Sequence, residues 1–508
     1  MAIKLQKKNE TIMENTHHEV TERGHTWKNL DDDGHEKRTG TMITAIAHII
    51  TSVIGSGVLS LAWALAQLGW IAGPVVLMAF AVITYFTSAL LADCYRSPDP
   101  ITGNRNYTYM DVVRENLGGM KVKLCGLAQY GMILGGTIGF TITSSISMVA
   151  MKRPNCFHKN GHQVDCYTST YPFIIIFACI QILLSQIPNF HKLSWLSIVA
   201  AVMSFGYASI GVGLSIAKAA EKGHHVRTTL TGVVVGIDVS GADKVWWTFH
   251  ALGNIAFAYS FAAVLVEIQD TLKSSPPENQ VMKKASLVAI STTTLFYMMC
   301  GCFGYAAFGN DAPGNFLTGF GFYEPFWLID FANVCIVIHL VGTYRVFCQP
   351  IFGFVEDLCA QQWLESGFIK NEYAIKIPFL ETTYVILTTV IAMIFPFFND
   401  VVGLVGAASF WPLTVYFPIE MYIAQAKINK YSSRWTWLKI LSWACLIVSI
   451  VAAAGSIQGL AADLKTYRSF TRNWNTKRAI SAFIPLHQYS LLKSWYILVL
   501  PGCTEYEV

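Results

Sequence analysis

Three small residues, Gly55, Ser56 and Gly57, interrupt an apolar run that is long enough to cross a membrane. Glycine is the weakest helix former after proline, so this triplet predicts an unwound turn within the first span. Such a turn is tolerated in a bilayer where its backbone faces a cavity. Its free amides would attract a carboxylate, and its free carbonyls would attract a cation. The triplet therefore indicates a binding site, with close packing of small residues against another helix as the alternative.

A second interruption is predicted in the sixth apolar run. Gly253 and Asn254 open a series of small residues there, Ala256, Ala258 and Ser260. In many transporters, helices interrupted at matching places in two repeats mark the substrate site. The first and sixth spans are five apart, which is the relation expected of two inverted repeats of five helices. A zwitterionic α-amino acid fits between two such breaks, because it carries both signs of charge close together.

The residues predicted to bind substrate are those at the two interruptions: Ile54, Gly55, Ser56, Gly57, Val58, Asn254, Ile255, Ala256, Phe257, Tyr259 and Ser260. The amides of Ser56, Gly57 and Val58 are expected to meet the carboxylate. Carbonyls around Ile54 and residues 254–256, with the Ser260 hydroxyl, are expected to meet the ammonium group. Phe257 and Tyr259 either line the side-chain pocket or are ordinary packing residues.

Two histidines within the spans are the groups that titrate nearest neutral pH. His48 precedes Gly55 by about two helical turns, and His339 lies in the middle of the eighth span. Ionisable residues inside a membrane are costly, so both are predicted as proton-coupling candidates. The alternative for each is a neutral imidazole bonded to a neighbouring carbonyl. The other ionisable residues of the spans are His250, Glu267, Asp330, Arg345 and Glu420.

The composition indicates an integral membrane protein with lipid as a partner. Of 508 residues, 53% are hydrophobic and only 13% are charged, against roughly 25% charged in soluble domains. The net charge of +4 gives no support for nucleic-acid binding. Apolar runs of about 20 residues predict an all-α fold with about eleven membrane helices. They lie near 42–67, 71–94, 124–150, 171–188, 194–218, 245–269, 285–309, 325–351, 382–398, 400–424 and 436–461.

The distribution of Lys and Arg places the N-terminus in the cytoplasm, because most of them then fall in inner loops. No secretory signal precedes the first span. We predict a disordered cytoplasmic tail over residues 1–40, a transporter domain over 41–464 and an atypical C-terminal extension over 465–508. In this orientation Cys156 and Cys166 share an extracellular loop, which makes them candidates for a disulfide bond.

Motifs of enzymes are absent from the sequence, including the P-loop, HExxH, GxSxG and CxxC patterns. The sequence therefore predicts neither an enzyme nor a bound cofactor or metal. The absence of a P-loop also argues against transport driven by ATP. The sequence does not indicate an oligomeric state.

Several long motifs resemble the plant amino acid permeases, a branch of the amino acid/auxin permease family. They include "IGSGVLSLAWALAQLGWIAGP", "FAYSFAAVLVEIQDTLKSSPPEN" and "FPFFNDVVGLVGAASFWPLTVYFPIEMYIAQ". The resemblance covers about residues 35–468 and implies a LeuT-like fold, with a 5+5 inverted repeat, one extra helix and discontinuous helices 1 and 6. It also implies proton-driven amino acid uptake across the plasma membrane. The family's glycine/serine motif falls on Gly55, Ser56 and Gly57, and its two intramembrane histidines match His48 and His339.

The chain departs from the family pattern in three places. Members often carry Asp where this chain has Asn254, which bears on the charge of the preferred substrate. The segment "IPFLETTYVILTT" is shorter than its counterpart before the ninth span. Residues after Lys465-Thr466-Tyr467 resemble nothing in the family.

The sequence thus predicts a proton-coupled symporter that imports mainly neutral amino acids with broad specificity. The alternatives are a carrier of an auxin-like or other small carboxylate, which lacks an ammonium group, and a sensor that binds amino acids without moving them.

Overall fold

The structure is a computed structural model that describes residues 30–34, 37–160, 168–185, 194–221, 225–321, 324–364 and 376–466. One compact unit extends to Leu460, and a second begins at Ala461. The predicted C-terminal extension lies almost entirely outside the described residues, which end at Thr466.

The described residues form fourteen α-helices and one two-stranded sheet. The helices are α1 (Met42–Val53), α2 (Leu61–Cys94), α3 (Tyr109–Asn116), α4 (Met120–Asn160), α5 (Tyr171–Ser185), α6 (Ser194–Ala220), α7 (Gly241–Ala258), α8 (Leu265–Asp270), α9 (Glu278–Phe308), α10 (Phe326–Leu364), α11 (Lys376–Ile394), α12 (Phe398–Ser409), α13 (Phe417–Gln425) and α14 (Ser433–Thr466). Short 3₁₀ turns span Ser56–Ser60, Ala262–Val264, Gly309–Asp311 and Phe316–Phe320, and a π-helical turn, Phe410–Tyr416, joins α12 to α13. Strands β1 (Arg96–Ser97) and β2 (Asn104–Arg105) pair antiparallel.

The membrane-spanning segments agree with the predicted all-α fold. Eight segments of the described chain are long and apolar enough to cross a membrane, and three shorter apolar helices accompany them. Helix α2 contains both the end of the first span and the whole second span. Gly69 separates the two with a φ of 81°, and a Cβ there would lie 2.3 Å from the backbone nitrogen of Gly232. Only glycine fits this turn.

The first span is broken where the sequence predicts. Helix α1 ends at Val53, and the next helical turn begins at Ser56. Ile54, between them, has a non-helical ψ of 75°. Residues 56–60 are all buried, so this irregular backbone lies within protein, as a break at membrane depth requires.

The sixth span is also broken, but later than predicted. Helix α7 continues through Gly253 and Asn254 to Ala258, and the chain becomes helical again at Ala262. The sequence-based position at Gly253 and Asn254 was therefore wrong. A Cβ on Gly253 would lie 2.5 Å from the carbonyl oxygen of Gly403. This glycine serves close packing of α7 against α12, which was the alternative for small residues.

The segment before α1 was predicted to be disordered up to residue 40, and this was wrong for residues 37–40. The Gly40 amide donates to the Thr271 carbonyl at 2.9 Å, and the Lys273 amide donates to the Gly40 carbonyl at 3.1 Å. Arg38 lies 2.8 Å from Asp270 at the end of α8. The start of the first span and the end of the sixth are thus joined on one side of the membrane.

An acidic run, residues 31–33, packs onto the same region. Strand pairing sets Arg96 opposite Arg105, and both guanidinium groups bind Asp32, at 2.8 and 2.6 Å. Both also bind Glu278 at the start of α9, at 2.8 and 2.9 Å. This network holds the chain preceding α1 against the loop after α2.

Candidate substrate and proton site

The two broken spans meet at their breaks. A Cβ built on Gly57 would lie 2.9 Å from the Cα of Ala258 and 3.2 Å from Cδ1 of Phe257. The backbone that begins the second half of the first span therefore touches the end of α7. This approach requires glycine at position 57, and it brings together the two interruptions that the sequence paired.

Tyr297 on α9 ties together the carbonyl ends of the two broken helices. Its hydroxyl contacts the carbonyl oxygen of Val53, at the end of α1, and lies 2.9 Å from that of Ala258, at the end of α7. Helix C-termini carry partial negative charge. A single hydroxyl donor therefore faces two electronegative helix ends at the centre of the site.

Two residues of α6 bind the other carbonyls of the first break. Tyr207 donates to the Gly55 carbonyl at 2.9 Å, and the Ser204 hydroxyl lies 2.9 Å from the Ile54 carbonyl. The carbonyls predicted to be free for a cation are thus hydrogen-bonded to neighbouring helices in this conformation. The hydroxyls of Ser204 and Tyr207 thus occupy the positions where a cation was expected to bind the carbonyls.

His339 is directly connected to this break. It is fully buried, and its Nδ1 lies 2.8 Å from the Ser204 hydroxyl and 3.0 Å from the Ala200 carbonyl. Because Ser204 also reaches Ile54, a short hydrogen-bonded chain links the imidazole to the unwound turn. His48 lies half-buried on α1, two turns before the break. The described contacts include no side-chain hydrogen bond of His48.

The amide end of the first break presents hydrogen-bond donors. Ser56 and Gly57 begin a helix, and the first amides of a helix have no partner within it. The Ser56 hydroxyl is buried and has no hydrogen-bond partner among the described residues. A carboxylate placed here would give the Ser56 hydroxyl an acceptor. Val58, the third predicted contact, is fully buried one position further on.

The predicted residues of the sixth span separate into two groups. Phe257 and Tyr259 flank the break, and the Tyr259 hydroxyl donates to Thr294 at 3.1 Å. Ser260 donates back to the Ala256 carbonyl at 2.7 Å. Each hydroxyl oxygen keeps lone pairs that can accept from an ammonium group.

Asn254 and Ile255 lie within regular helix, one turn before the break. The Asn254 amide donates to the Asn399 side chain at 2.8 Å. Their backbone carbonyls are therefore not part of the unwound turn, and their assignment to the ammonium site stays a prediction. Helix α7 ends at Ala258. The Ala258 carbonyl was not predicted from the sequence to be part of the site.

The remaining ionisable residues of the spans are held by polar partners. Asp330 binds Asn155 at 3.1 Å, and Arg345 pairs with Glu381 at 2.8 Å. The side chain of Asn155 is thus a polar partner of Asp330. Another pair joins Lys439 to Glu420.

Cys156 is disulfide-bonded. Its predicted partner, Cys166, lies outside the described residues, so the pairing stays a prediction.

Comparison with known proteins agrees with this geometry. The family model described as "Transmembrane amino acid transporter protein" matches residues 38–462. The chain belongs to this family. Among its members, amino acid permease 6 of Arabidopsis thaliana is 70% identical over 92% of this chain and 99% of its own length. Amino acid permease 1 of Arabidopsis thaliana is 64% identical over 87% of this chain and 94% of its own length.

The family relationship confirms the resemblance to plant amino acid permeases and the expectation of a transporter rather than an enzyme. The crystal structure of MhsT in complex with L-phenylalanine has a TM-score of 0.51, with 10% identity, over 83% of this chain and all of that one. It shows the fold, which is the LeuT-like arrangement that the motifs implied.

Sequence reasoning missed Ser204, Tyr207 and Tyr297. Each lies in a continuous apolar run with no local break or charge to mark it. Their hydroxyls become relevant only because α6 and α9 pack beside the interrupted helices, which the sequence of either helix does not reveal.

Proposed function

We infer that this protein is a proton-coupled symporter that imports mainly neutral amino acids, with broad specificity, across the plasma membrane. The observation that carries this proposal is the meeting of two helix breaks at Gly57 and Ala258, with His339 linked to the first break through Ser204. The names of the relatives, amino acid permeases 6 and 1, support amino acids as the substrate class.

The amide end of the first break supports a carboxylate site. The Ser56 hydroxyl, which has no partner among the described residues, and the first amides of the turn lie at a helix N-terminus, where the dipole favours an anion. The ammonium group then takes the carbonyl side, at Ile54 and Ala258, by displacing hydroxyl donors. The side chains flanking the breaks, Phe257 and Tyr259, carry no charge, which favours neutral substrates.

Proton linkage is assigned to His339 and His48. His339 is buried, and its Nδ1 is hydrogen-bonded toward the break through Ser204. A positive charge on the imidazole makes Nδ1–H a stronger donor to Ser204, which in turn strengthens the bond from Ser204 to the Ile54 carbonyl. A net positive charge that moves inward with the substrate gains about 2.3 kcal/mol per 100 mV of membrane potential. Transport requires no bound cofactor under this mechanism.

Labelled amino acid flux in a transport-deficient host tests the proposal. A panel of acidic, neutral and basic amino acids is measured at two external pH values, with and without a protonophore. We expect faster uptake of neutral amino acids at acidic external pH, and loss of accumulation with the protonophore. His48→Ala is expected to weaken the pH dependence, with surface abundance measured in parallel.

Two outcomes would favour the alternatives. Uptake of an indole carboxylate that alanine does not compete with would indicate a carrier of carboxylates lacking an ammonium group. Binding of amino acids without flux in a surface-expressed protein would indicate a sensor.

A further inference from the structure

A buried acid–base pair joins α7 to α12 away from the two breaks. Nδ1 of His250 lies 3.7 Å from Oδ1 of Asp400, and their side chains are only 4% and 7% exposed. Nε2 of His250 lies 3.1 Å from the Asn399 carbonyl oxygen. Neither residue of the pair belongs to the substrate contacts or to the two histidines assigned above.

Two hydrogen-bond acceptors, the Asp400 carboxylate and the Asn399 carbonyl, face the nitrogens of the His250 ring. The Asn399 carbonyl requires a proton on Nε2. Asp400 lies in the first turn of α12, where the helix dipole stabilises its ionised form, and an ionised carboxylate favours a proton on Nδ1. Both ring nitrogens then carry a proton, so His250 is positively charged and Asp400 is ionised. In this state the pair holds one proton more than a neutral imidazole and an ionised carboxylate would. Without that proton, a ring lone pair faces a carboxylate, and a net negative charge is buried.

The pair is enclosed by glycines that leave little room for rearrangement. A Cβ on Gly403 would lie 2.5 Å from Cδ2 of His250, and a Cβ on Gly459 would lie 2.3 Å from Oδ1 of Asp400. On the remaining side, the Trp63 ring lies 4.9 Å from the imidazole. Repulsion within the pair therefore acts on the packing of α7 against α2, α12 and α14.

Among the described contacts of His250 with α2, α12 and α14, the charged group is Asp400. The charged residues of α7 itself, Asp243 and Lys244, lie near its start. Lys244 donates there to the Gln67 carbonyl at 2.6 Å.

The location of the pair suits a proton that enters from outside. His250 lies nine residues after the start of α7 and nine before Tyr259, which is about 13 Å from each at 1.5 Å per residue. Because the end of α8 is joined to the chain before α1, the start of α7 lies on the opposite side of the membrane from the N-terminus. In the predicted orientation that side is the outer one.

We propose that His250 and Asp400 together bind one proton from the outer solution, and that this proton holds α7 packed against α12 over the substrate. The step forms one N–H bond on His250 and neutralises the charge of the pair, and deprotonation reverses both changes. This inference rests on the proton coupling proposed above and adds a second titrating site to it, on the outer side of the breaks.

The test compares His250→Gln, Asp400→Asn and the double variant with His225→Gln, which makes the same change at an exposed histidine. Glutamine keeps a donor for the Asn399 carbonyl but does not titrate. Uptake of labelled alanine is measured over external pH 4.5 to 7.5 with surface abundance as a control. Unfolding temperature of the purified full chain is measured over the same pH range.

We expect each single variant to shift the pH midpoint of uptake by about one unit, a tenfold change in proton concentration, and to remove part of the pH dependence of the unfolding temperature. The double variant is expected to add nothing to either single one, because the two residues share one proton. The inference would be overturned if both single variants kept the wild-type pH midpoint of uptake and the wild-type pH dependence of the unfolding temperature. Wild-type uptake that does not depend on external pH would instead refute proton coupling. The pH dependence of the unfolding temperature would then test by itself whether His250 and Asp400 bind a proton.

Discussion

The Tyr297 hydroxyl lies 2.9 Å from the carbonyl oxygen of Ala258 and also contacts that of Val53. One side chain of α9 thereby spans the ends of two helices that are far apart in the chain. A hydroxyl has only one proton, so it can fully satisfy only one of the two carbonyls at a time. The bridge can therefore be exchanged for another donor, such as a substrate ammonium group.

Tyr297→Phe removes the bridge while keeping the ring. We expect about tenfold slower uptake with normal surface abundance, since a buried acceptor left without a donor costs about 1–3 kcal/mol. Initial rates of labelled alanine uptake measure the effect. Tyr344→Phe is the matched control, because the Tyr344 hydroxyl bonds to Thr388, at 2.8 Å, and not to either break. Equal rates in the two variants would argue against a role for the bridge.

Gly57→Ala places a methyl group 2.9 Å from the Cα of Ala258. We expect uptake to fall at least tenfold, because overpacking of this kind costs about 1–3 kcal/mol and the two breaks must separate. Gly57→Val should abolish uptake. Gly131→Ala is the control, since a Cβ there meets nothing within 4 Å. Normal uptake by Gly57→Ala at normal surface abundance would remove this contact from the site.

Ser204→Ala cuts the link between His339 and the Ile54 carbonyl. We expect uptake to persist but its dependence on external pH to flatten, because protonation of the imidazole no longer reaches the unwound turn. Uptake rates across external pH provide the measurement. The control is Ser145→Ala, whose hydroxyl bonds to Ile142 within its own helix at 2.7 Å. A pH profile of Ser204→Ala that superimposes on the wild type would contradict the link.

The acidic segment before α1 is expected to release at low pH. Burial by itself would raise the pKa of Asp31, but the Arg38 amide, the Ser274 hydroxyl and the charge of Arg105 hold that pKa below its ordinary value of 3.8. A lowered pKa contributes stability above the ordinary value and loses it as pH falls through the folded value. Asp31→Asn should therefore lower the unfolding temperature at about pH 6, and this difference from the wild type should shrink at an acidic pH well below 3.8.

Thermal unfolding of the purified protein at the two pH values measures this difference. Asp311→Asn, at an exposed position, serves as the control and should show no such change with pH. A difference between Asp31→Asn and the wild type that is the same at both pH values would mean that the carboxylate charge is not what holds the segment.

The first break and the membrane spans were predictable because they depend on local composition. Gly55 and Gly57 weaken the helix at their own positions, and apolar runs of sufficient length form spans in any context that excludes water. The same reasoning misplaced the sixth break. Gly253 looks like Gly57 in the sequence, but it packs against Gly403 inside an unbroken helix.

The sequence by itself determined that this chain crosses a membrane many times and interrupts its first span at residues 55–57. Only the tertiary structure decided what the interruption meets: Ala258 at the end of α7, Tyr297 across the carbonyl ends and Ser204 leading to His339. The reason is physical. A helix break is set by neighbours along the chain, whereas the partners of its freed backbone groups are set by how distant helices pack.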